Sequence, residues 1–331
     1  MRIAFDAMGG DHAPSAMING VLQAAKTWRD TEFVLVGTDE VVTPVLEQAS
    51  MDHLSVRIVT EVITPEDEPV RAVRRKKDSS MVVGCEMVKD RAADAFISAG
   101  NTGALMAAGL FATGRISGID RPALAPSFPT VTGGKVLVLD VGANPEARPE
   151  HLRQYALMGS VYVENGWEIP RPRVGLLNIG TEEGKGTTLM KEAYRQIQAL
   201  PINFIGNVEA RDVLEGVCDV LVCDGFTGNI LLKNTEGVSK AIFSKLREEF
   251  TRNPLSKLAA AILKPGLKRF ASSMDYKEHG GAPLLGVGGA IIKAHGSSDD
   301  RAVYNAIRQT RMFVERGVIQ RISDDLERSE G

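Results

Sequence analysis

The chain has 331 residues, of which 44% are hydrophobic and 24% are charged, and its formal net charge is -3 at pH 7. This composition is ordinary for a globular protein with a hydrophobic core, and the slightly negative charge argues against a general nucleic-acid binder. The three cysteines form no CxxC pair and no run of about 18 apolar residues occurs, so we expect no disulfide scaffold, no zinc site and no transmembrane segment.

Short apolar runs alternate with segments of helical periodicity along the chain. The predicted strands are Ile3–Asp6, Phe33–Gly37, Val56–Thr60, Ala95–Ser98, Val136–Val141, Val174–Ile179, Phe204–Asn207 and Val220–Cys223. The predicted helices are Ser15–Trp28, Ser79–Arg91, Ala104–Thr113, Glu150–Val163, Thr187–Leu200, Val238–Phe250 and Asp300–Arg316. The strand runs barely alternate with polar residues, which is typical of parallel strands covered on both faces. The repeated order of strand and helix predicts a layered α/β fold, and we expect one domain over residues 1–331.

Four of the predicted strands lead into turns rich in glycine, asparagine and aspartate. These turns are Ser98–Gly103, Asp140–Asn144, Asn178–Thr181 and Cys223–Asn229. In open α/β sheets the carboxyl ends of the strands form the ligand crevice, and helix N-termini attract anions. We therefore expect the four turns to meet at one sheet edge and to form a pocket rich in amide donors. The alternative is that they are only tight turns.

The segment Gly180–Thr187 resembles a P-loop, because it follows a predicted strand and opens a predicted helix. However, its glycine spacing is one residue short, and Gly186 stands where a serine or threonine would bind magnesium. A plain phosphate cradle, with Lys185 as a point charge, is a better interpretation than a nucleotide triphosphatase. The alternative is that Lys185 is a solvent-exposed loop residue.

Other motifs for catalysis are weaker. His295–Asp300 has the HxxxxD spacing of glycerol-phosphate acyltransferases, so His295 is either an acid–base or hydrogen-bonding group or a structural histidine. Gly286–Ile291 fails the last position of a dinucleotide-binding fingerprint and follows no predicted strand. No GxSxG motif is present, and Cys223 ends an apolar strand without an evident histidine partner, so we expect it to be buried rather than nucleophilic.

A dense basic cluster occupies Arg71–Lys77 and contains Arg74, Arg75, Lys76 and Lys77. Such a run is either a solvated helix face or a docking site for an acidic protein or for acyl-carrier phosphopantetheine.

A second basic segment, Pro254–Phe270, has no acidic residue and carries leucine and isoleucine at helical spacing. It predicts a protruding amphipathic helical segment at about 250–271, broken at Pro265-Gly266. Its basic residues are Lys257, Lys264, Lys268 and Arg269. The residues expected to contact a membrane surface are Leu255, Leu258, Ile262, Leu263 and Leu267. The alternatives are an oligomer interface and a helix packed on its own core.

An ordered set of motifs resembles the PlsX-type phosphate acyltransferases. The blocks are Asp6–Pro14 (DAMGGDHAP), Ser98–Ala104 (SAGNTGA), Asp140–Asn144 (DVGAN), Leu176–Gly186 (LLNIGTEEGKG), Cys223–Asn229 (CDGFTGN), Gly280–Gly286 (GGAPLLG) and Ile292–Ser298 (IKAHGSS). They cover nearly the whole chain in order, and as an ordered set they are specific to that family.

The resemblance implies a three-layer α/β/α fold with a mostly parallel sheet, similar to phosphotransacetylases and to isocitrate and isopropylmalate dehydrogenases. It implies a cytoplasmic homodimer that associates peripherally with the membrane. Such an enzyme moves a long-chain acyl group from acyl carrier protein to inorganic phosphate, without a cofactor, for phospholipid synthesis. The acyl phosphate would pass to an integral membrane glycerol-3-phosphate acyltransferase.

Phosphate is an anionic nucleophile, so this reaction needs no serine or cysteine intermediate. The predicted catalytic residues are Lys185, Asn229 and His295. The predicted phosphate- and substrate-binding residues are Gly100, Asn101, Thr102, Gly103, Asp140, Asn144, Asn178, Gly180, Thr181 and Asp224. Because the chemistry needs no metal, the aspartates near these turns are interpreted as helix caps and as orienters of neighbouring amides. Asp6 and Asp11 belong to the same group.

Three other functions stay open at this point. A phosphotransacylase that uses coenzyme A would share the phosphate pocket but would need a nucleotide-binding surface. A dehydrogenase on a related fold would need a dinucleotide site, for which the sequence shows no fingerprint. A non-catalytic scaffold that recruits lipid-synthesis enzymes to the membrane would leave the polar turn residues unexplained.

Overall fold

The computed structural model describes residues 1–273 and 280–330, with the backbone alone for 268–273 and 328–330. The strands are β1 (Arg2–Asp6), β2 (Glu32–Gly37), β3 (Leu54–Ile58), β4 (Ala95–Ser98), β5 (Ala123–Leu124), β6 (Ser127–Pro129), β7 (Lys135–Leu139), β8 (Arg173–Asn178), β9 (Asn203–Glu209), β10 (Val220–Val222), β11 (Ala282–Leu285) and β12 (Ala290–Lys293). The helices are α1 (Ser15–Thr27), α2 (Asp39–Ala49), α3 (Pro69–Arg75), α4 (Ser80–Lys89), α5 (Thr102–Thr113), α6 (Pro149–Gly166), α7 (Thr188–Gln198), α8 (Gly225–Thr251), α9 (Pro254–Ser273), α10 (Asp300–Glu315) and α11 (Val318–Glu330), with a short 3₁₀ helix at Ala210–Glu215.

The first sheet has seven strands in the order β3-β2-β1-β4-β12-β11-β5. Strands β3, β2, β1, β4 and β12 are parallel, whereas β11 is antiparallel to both of its neighbours. Successive side chains of β1 enter different apolar clusters. Ile3 and Phe5 pack with α1 and α10, whereas Ala4 packs with α3, α4 and α5. The sheet is therefore covered by helices on both faces, as its continuous apolar strands require.

The second sheet has five strands in the order β6-β7-β10-β8-β9, and only the edge strand β6 is antiparallel among them. Leu137 and Leu139 of β7 pack with α6 and α11. Val136 and Val138 pack in a different cluster that includes Leu231 and other side chains of α8. The layered α/β/α fold class is thus confirmed, with helices on both faces of parallel strands.

The two sheets share part of the core. One apolar cluster contains Ala95 and Ala290 of the first sheet together with Leu137 and Val174 of the second. All of these side chains are at most 3% exposed. The relative position of the sheets, and hence of the turns at their edges, is therefore fixed by close packing.

The expectation that the four glycine-rich turns share one sheet edge is wrong. The turn at Ser98–Gly103 follows β4 of the first sheet, whereas the other three turns follow β7, β8 and β10 of the second. The apolar strand runs look alike in sequence, because every one of them is covered on both faces. Their division between two sheets depends on pairings between distant segments of the chain.

The eight predicted strands and seven predicted helices are all present, but several elements were missed. The missed strands are short, with two to four residues each: β5, β6, β11 and β12. The statement that Gly286 follows no strand is wrong, since β11 ends at Leu285. Helices α2, α3 and α11 were also missed.

Two helices are longer than predicted. Helix α8 begins at Gly225 rather than near Val238, because Asp224 caps it by accepting the Thr227 N–H at 2.9 Å. The predicted break at Pro265 is wrong, because α9 continues through this residue to Ser273. Helix α9 is exposed, so water can solvate the carbonyl group that loses its hydrogen bond at Pro265. Within the described ranges no helix has the length and hydropathy that crossing a membrane requires.

Position 228 requires glycine, because a Cβ there would lie 1.9 Å from the carbonyl oxygen of Asp140. We expect Gly228→Ala to lower the free energy of unfolding by about 3 kcal/mol, as overpacking of backbone does. Gly237→Ala on the same helix is the matched control, since a Cβ there meets no atom within 4 Å. That variant should gain about 0.5–1 kcal/mol from helix propensity. Urea unfolding measures both, and equal midpoints for the two variants would contradict the packing argument.

Candidate active site

A crevice of about 620 Å³ lies where the two sheets meet. From the first sheet it is lined by the turns that follow β1, β4 and β12. From the second it is lined by β6, the turn after β7, and one face of α8. The carboxyl ends of parallel strands therefore form the crevice, which is the usual ligand position in α/β proteins.

The buried carboxylate of Asp6 organises the turns on the first-sheet side. Its oxygens accept hydrogen bonds from the Ser98 hydroxyl at 2.7 Å and from the Met8 N–H at 3.0 Å. Ser98 Oγ in turn accepts the N–H of Gly100 at 3.1 Å. Burial raises the pKa of Asp6, although these hydrogen bonds oppose the shift. Gly9 must be glycine here, because a Cβ would lie 2.6 Å from Gly100 N.

Asn101 has a structural role at the start of α5. Its Oδ1 caps the helix by accepting the Ala104 N–H at 3.1 Å. Its Nδ2 donates to carbonyl oxygens of a neighbouring loop that borders the crevice, among them Asp67 O at 3.2 Å. The side chain predicted to bind phosphate is therefore already engaged in holding the loop against the helix.

The first turn of α5 directs positive partial charge toward the crevice. Thr102 and Gly103 both line the crevice, and the first turn contains no acidic residue. The unpaired N–H groups and the helix dipole favour a bound anion at this position. The structure thus brings together Gly100, Asn101, Thr102 and Gly103, as the sequence predicted, with backbone amides as the available donors.

Lys293, at the end of β12, was missed by the sequence analysis. Its side chain is buried, with 8% exposure, and lines the crevice. Its Nζ donates to Ala99 O at 3.2 Å and to Ala294 O. An ammonium group has three N–H donors, so one remains for a ligand. Burial lowers the pKa of Lys293 to about 8, while the nearby charges of Asp6 and Asp11 oppose the shift.

His295 lines the crevice, as the catalytic hypothesis requires. Its Nδ1 accepts the Ser297 N–H at 3.2 Å, which favours a proton on Nε2. Nε2 lies 3.2 Å from Oε1 of Glu236. Burial raises the pKa of Glu236, but interactions with His295 and Lys233 outweigh this and lower it overall. Glu236 Oε2 accepts from Lys233 at 2.9 Å.

Asp140 and Asn144 support the second-sheet side rather than face the ligand. Asp140 is buried, and its carboxylate accepts backbone N–H groups of its own turn, including Ala143 at 2.9 Å and Asn144 at 2.6 Å. Burial raises the pKa of Asp140, against these hydrogen bonds. Asn144 Nδ2 donates to Pro122 O at 2.6 Å and to Tyr155 Oη at 3.0 Å. The interpretation of Asp6, Asp140 and Asp224 as caps and amide orienters is confirmed by their hydrogen bonds.

The loop that resembles a P-loop is not part of the crevice lining among the described residues. The Asn178 side chain holds the two ends of this loop together by donating to Lys185 O at 3.2 Å. Gly180 and Thr181 lie within the same loop. The Lys185 side chain is half exposed, and its Nζ lies 3.8 Å from Oε1 of Glu182. In this single chain, Lys185 does not meet the other two predicted catalytic residues, so its role stays a prediction.

Asn229 is exposed on the crevice wall, in the second turn of α8. Cys223 is fully buried, as predicted, and its thiol donates to Asp140 O at 3.3 Å. Sequence reasoning therefore found Asn229 and His295 but not Lys293, Glu236 or Lys233. A usable signal existed for Lys293, since it is a charged residue at the end of the otherwise apolar strand β12.

The basic cluster divides into structural and surface residues. Lys76 is half buried, and its Nζ donates to Asp67 at 2.5 Å and to Val62 O at 2.9 Å. It therefore holds the loop at the rim of the crevice, and its ammonium is not directed to a partner. The residues Arg71, Arg74, Arg75 and Lys77 are exposed.

Comparisons with known proteins show the family of this chain. The model of the family described as fatty acid synthesis protein matches residues 1–321. A phosphate acyltransferase from Bacillus thuringiensis (strain Al Hakam) is 54% identical over 328 residues, which cover 99% of each chain. The chain belongs to the phosphate acyltransferase family. The resemblance found in the sequence is thereby confirmed, and the enzyme class is that of the acyltransferases.

Two solved structures have a fold similar to that of this chain. A phosphotransacetylase from Streptococcus pyogenes is similar with a TM-score of 0.62 and 16% identity, over 95% of this chain and 94% of that one. A branched-chain phosphotransacylase from Enterococcus faecalis V583 is similar with a TM-score of 0.59 and 12% identity, over 95% and 99%. At such low identity these likenesses show a shared fold.

Proposed function

We propose that the protein transfers a long-chain acyl group from acyl carrier protein to inorganic phosphate, and that the transfer takes place in the crevice between the sheets. The observation that supports this most is the polar wall on the first-sheet side, where the Lys293 ammonium and the first turn of α5 face the same space. A charged donor and a set of backbone amides together suit a phosphate ion.

The reaction needs a phosphate oxygen to attack the thioester carbonyl carbon. A C–O bond forms, the C–S bond breaks, and the sulfur leaves as a thiolate that takes a proton to become the free carrier thiol. The protein's cysteines do not suit a covalent intermediate, since all three are buried. Burial raises the pKa of each thiol, that of Cys218 to about 12. Direct transfer to phosphate is therefore the mechanism that the residues favour.

The crevice residues divide the work of the transfer. The amides of Thr102 and Gly103 hold the phosphate together with Lys293, which lowers the entropy barrier of the attack. Asn229 donates to the oxyanion that develops on the carbonyl oxygen, and His295, whose Nε2 lies 3.2 Å from Oε1 of Glu236, lines the same space. Losing one such donor costs about 3 kcal/mol in the barrier. The resulting acyl phosphate would pass to an integral membrane glycerol-3-phosphate acyltransferase for phosphatidic acid synthesis.

The Lys293 proposal makes a prediction about pH. Because burial lowers the pKa of Lys293 to about 8, the ammonium loses its proton, and its attraction for phosphate, as the pH rises through that value. We expect the KM for phosphate to increase above that pH in the wild type. Lys293→Arg should keep its charge there and flatten this rise. Lys293→Met should lower kcat/KM for phosphate by about 100-fold at neutral pH.

The Lys185→Ala variant tests whether Lys185 or Lys293 supplies the charge that binds phosphate. If Lys293 supplies the phosphate charge alone, the Lys185 variant should keep a KM for phosphate near the wild-type value. A Lys293→Met enzyme that folds normally and keeps the wild-type KM would contradict the proposal, and a large loss in Lys185→Ala would support the sequence-based hypothesis instead.

The choice of acyl carrier protein over coenzyme A is supported by the surface beside the crevice. Arg71, Arg74, Arg75 and Lys77 are exposed near the rim that Lys76 holds, and the Arg74 guanidinium lies 5.6 Å from the Phe111 ring centroid. Phe111 itself is 50% exposed. A basic surface with an exposed aromatic ring suits an acidic protein partner.

Charge reversal tests this docking surface. We expect Arg74→Glu combined with Arg75→Glu to increase the KM for acyl carrier protein thioesters by about tenfold. The KM for the same acyl group on free pantetheine should not change, because that donor makes no contact with the surface. Arg195→Glu on α7, at a side chain that is 72% exposed, is the control. Equal effects on both donors would place the partner elsewhere.

Association with a membrane surface and with a second copy of the chain also belongs to the proposal. On α9, Leu255, Leu258, Ile262 and Leu263 are each more than half exposed, so the alternative of a helix packed on its own core does not describe them. Leu267 is partly buried, and the side chains of Lys268 and Arg269 lie outside the described residues. This apolar face between lysines suits the interface of a lipid bilayer.

Helix α8 presents a separate apolar face. Ile230, Val238 and Ile242 are each about half exposed on it. A homodimer that buries this face would remove apolar area from water. The peripheral, cytoplasmic homodimer expected from the family resemblance is therefore compatible with both helices.

A further inference from the structure

The crevice has two walls of different chemistry. The first-sheet wall is polar, as described above. The apolar wall combines residues of the second-sheet side with residues of strands β5 and β11, and all of them belong to a single packed cluster: Leu124, Phe128, Val141, Leu232 and Ala282. The proposed phosphate chemistry uses the polar turns, Asn229 and His295, so these five apolar residues have no role in it.

The apolar wall is rigid where it belongs to the core. Leu124, Phe128 and Val141 are 7%, 3% and 3% exposed, so their positions are fixed by the packing of their shared cluster. Leu232 differs, because it is only partly buried against the same cluster. It is the position where a change in side-chain size alters the crevice most and the core least.

Helix α8 carries one stripe of crevice residues. Asn229, Leu232, Lys233 and Glu236 follow the i, i+3, i+4, i+7 spacing of a single helix face, and all four line the crevice. Asn229, the proposed oxyanion donor, therefore lies one turn from Leu232. A carbonyl group held at Asn229 would place the atoms attached to it along Leu232 and the apolar wall.

The size of the crevice calls for a ligand much larger than phosphate. Its volume of about 620 Å³ is in the range of sites that enclose whole organic ligands. A phosphate ion and the polar end of a thioester leave most of this space to apolar surface, which an alkyl chain fills best.

We propose that the apolar wall holds the acyl chain of the donor and that Leu232 determines which chain lengths the enzyme accepts. This inference rests on the proposed acyl transfer to phosphate. Phosphate lies at the polar turns, the chain lies on the apolar wall, and the carbonyl carbon sits between them. Each methylene group buried on the wall changes kcat/KM by about fourfold.

The test compares butyryl-, octanoyl- and palmitoyl-acyl carrier protein as donors for phosphate-dependent thiol release. Leu232→Trp fills the space beside the wall, so we expect its kcat/KM for the palmitoyl donor to fall by about 100-fold while that for the butyryl donor stays near wild type. Leu231→Trp is the matched control. Leu231 is also partly buried against the same cluster but does not line the crevice. It should leave the chain-length profile unchanged.

The outcomes separate this inference from the proposed function. Equal losses for all donors in Leu232→Trp, no loss at all, or the same selective loss in Leu231→Trp would overturn the inference. If the tryptophan variant does not fold, Leu232→Phe gives the same comparison with a smaller side chain. The proposed function fails separately, if the wild type releases no thiol from any of the three donors when phosphate is present.

Discussion

A buried ammonium group held between two turns is the interaction on which the polar half of the site depends. Lys293 is nearly enclosed, and its charge is stabilised by the carbonyl oxygens of Ala99 and Ala294 and by the carboxylates nearby. Burying a cation in this way is unfavourable unless hydrogen bonds and opposite charges compensate. The Asp6–Ser98–Gly100 hydrogen bonds hold one of these carboxyl groups in place, and they also shape the turn that carries the amide donors.

The packing of the two sheets explains why one crevice has both a polar surface that suits an anion and an apolar surface that suits an alkyl chain. The polar surface comes from the turns of the first sheet, whereas the apolar surface needs side chains of both sheets and of α8, packed in one cluster. Their shared core fixes the distance between these surfaces. An acyl phosphate has the same division into a charged end and an apolar end, so the product matches the walls of the crevice as well as the substrates do.

The sequence predicted the parallel strands well. A strand that is covered by helices on both faces has to be apolar along most of its length, and runs such as Val136–Val141 show this pattern. It also predicted Asn229 and His295, which lie in turns or helix starts next to those strands. It did not predict Lys293 as a partner of Ala99, since the two residues are 194 positions apart and meet only through the pairing of β12 with β4.

Several polar turn residues have structural roles that sequence reasoning could not separate from binding. Asn101 and Asn144 carry amide groups of the kind that bind phosphate, yet their side chains satisfy backbone groups of their own or neighbouring loops. Only the three-dimensional hydrogen-bond pattern shows which polar atoms remain available. The same holds for Lys76, whose charge is engaged by Asp67 although its neighbours are exposed.

The central claim, direct attack of phosphate on a bound thioester, is tested most directly by rapid mixing of the enzyme with palmitoyl-acyl carrier protein in the absence and presence of phosphate. The account predicts no release of carrier thiol without phosphate. With phosphate, it predicts thiol release matched by acyl phosphate, which hydroxylamine traps as the hydroxamate. A burst of thiol equal to the enzyme concentration without phosphate would show an acyl-enzyme and would contradict the account.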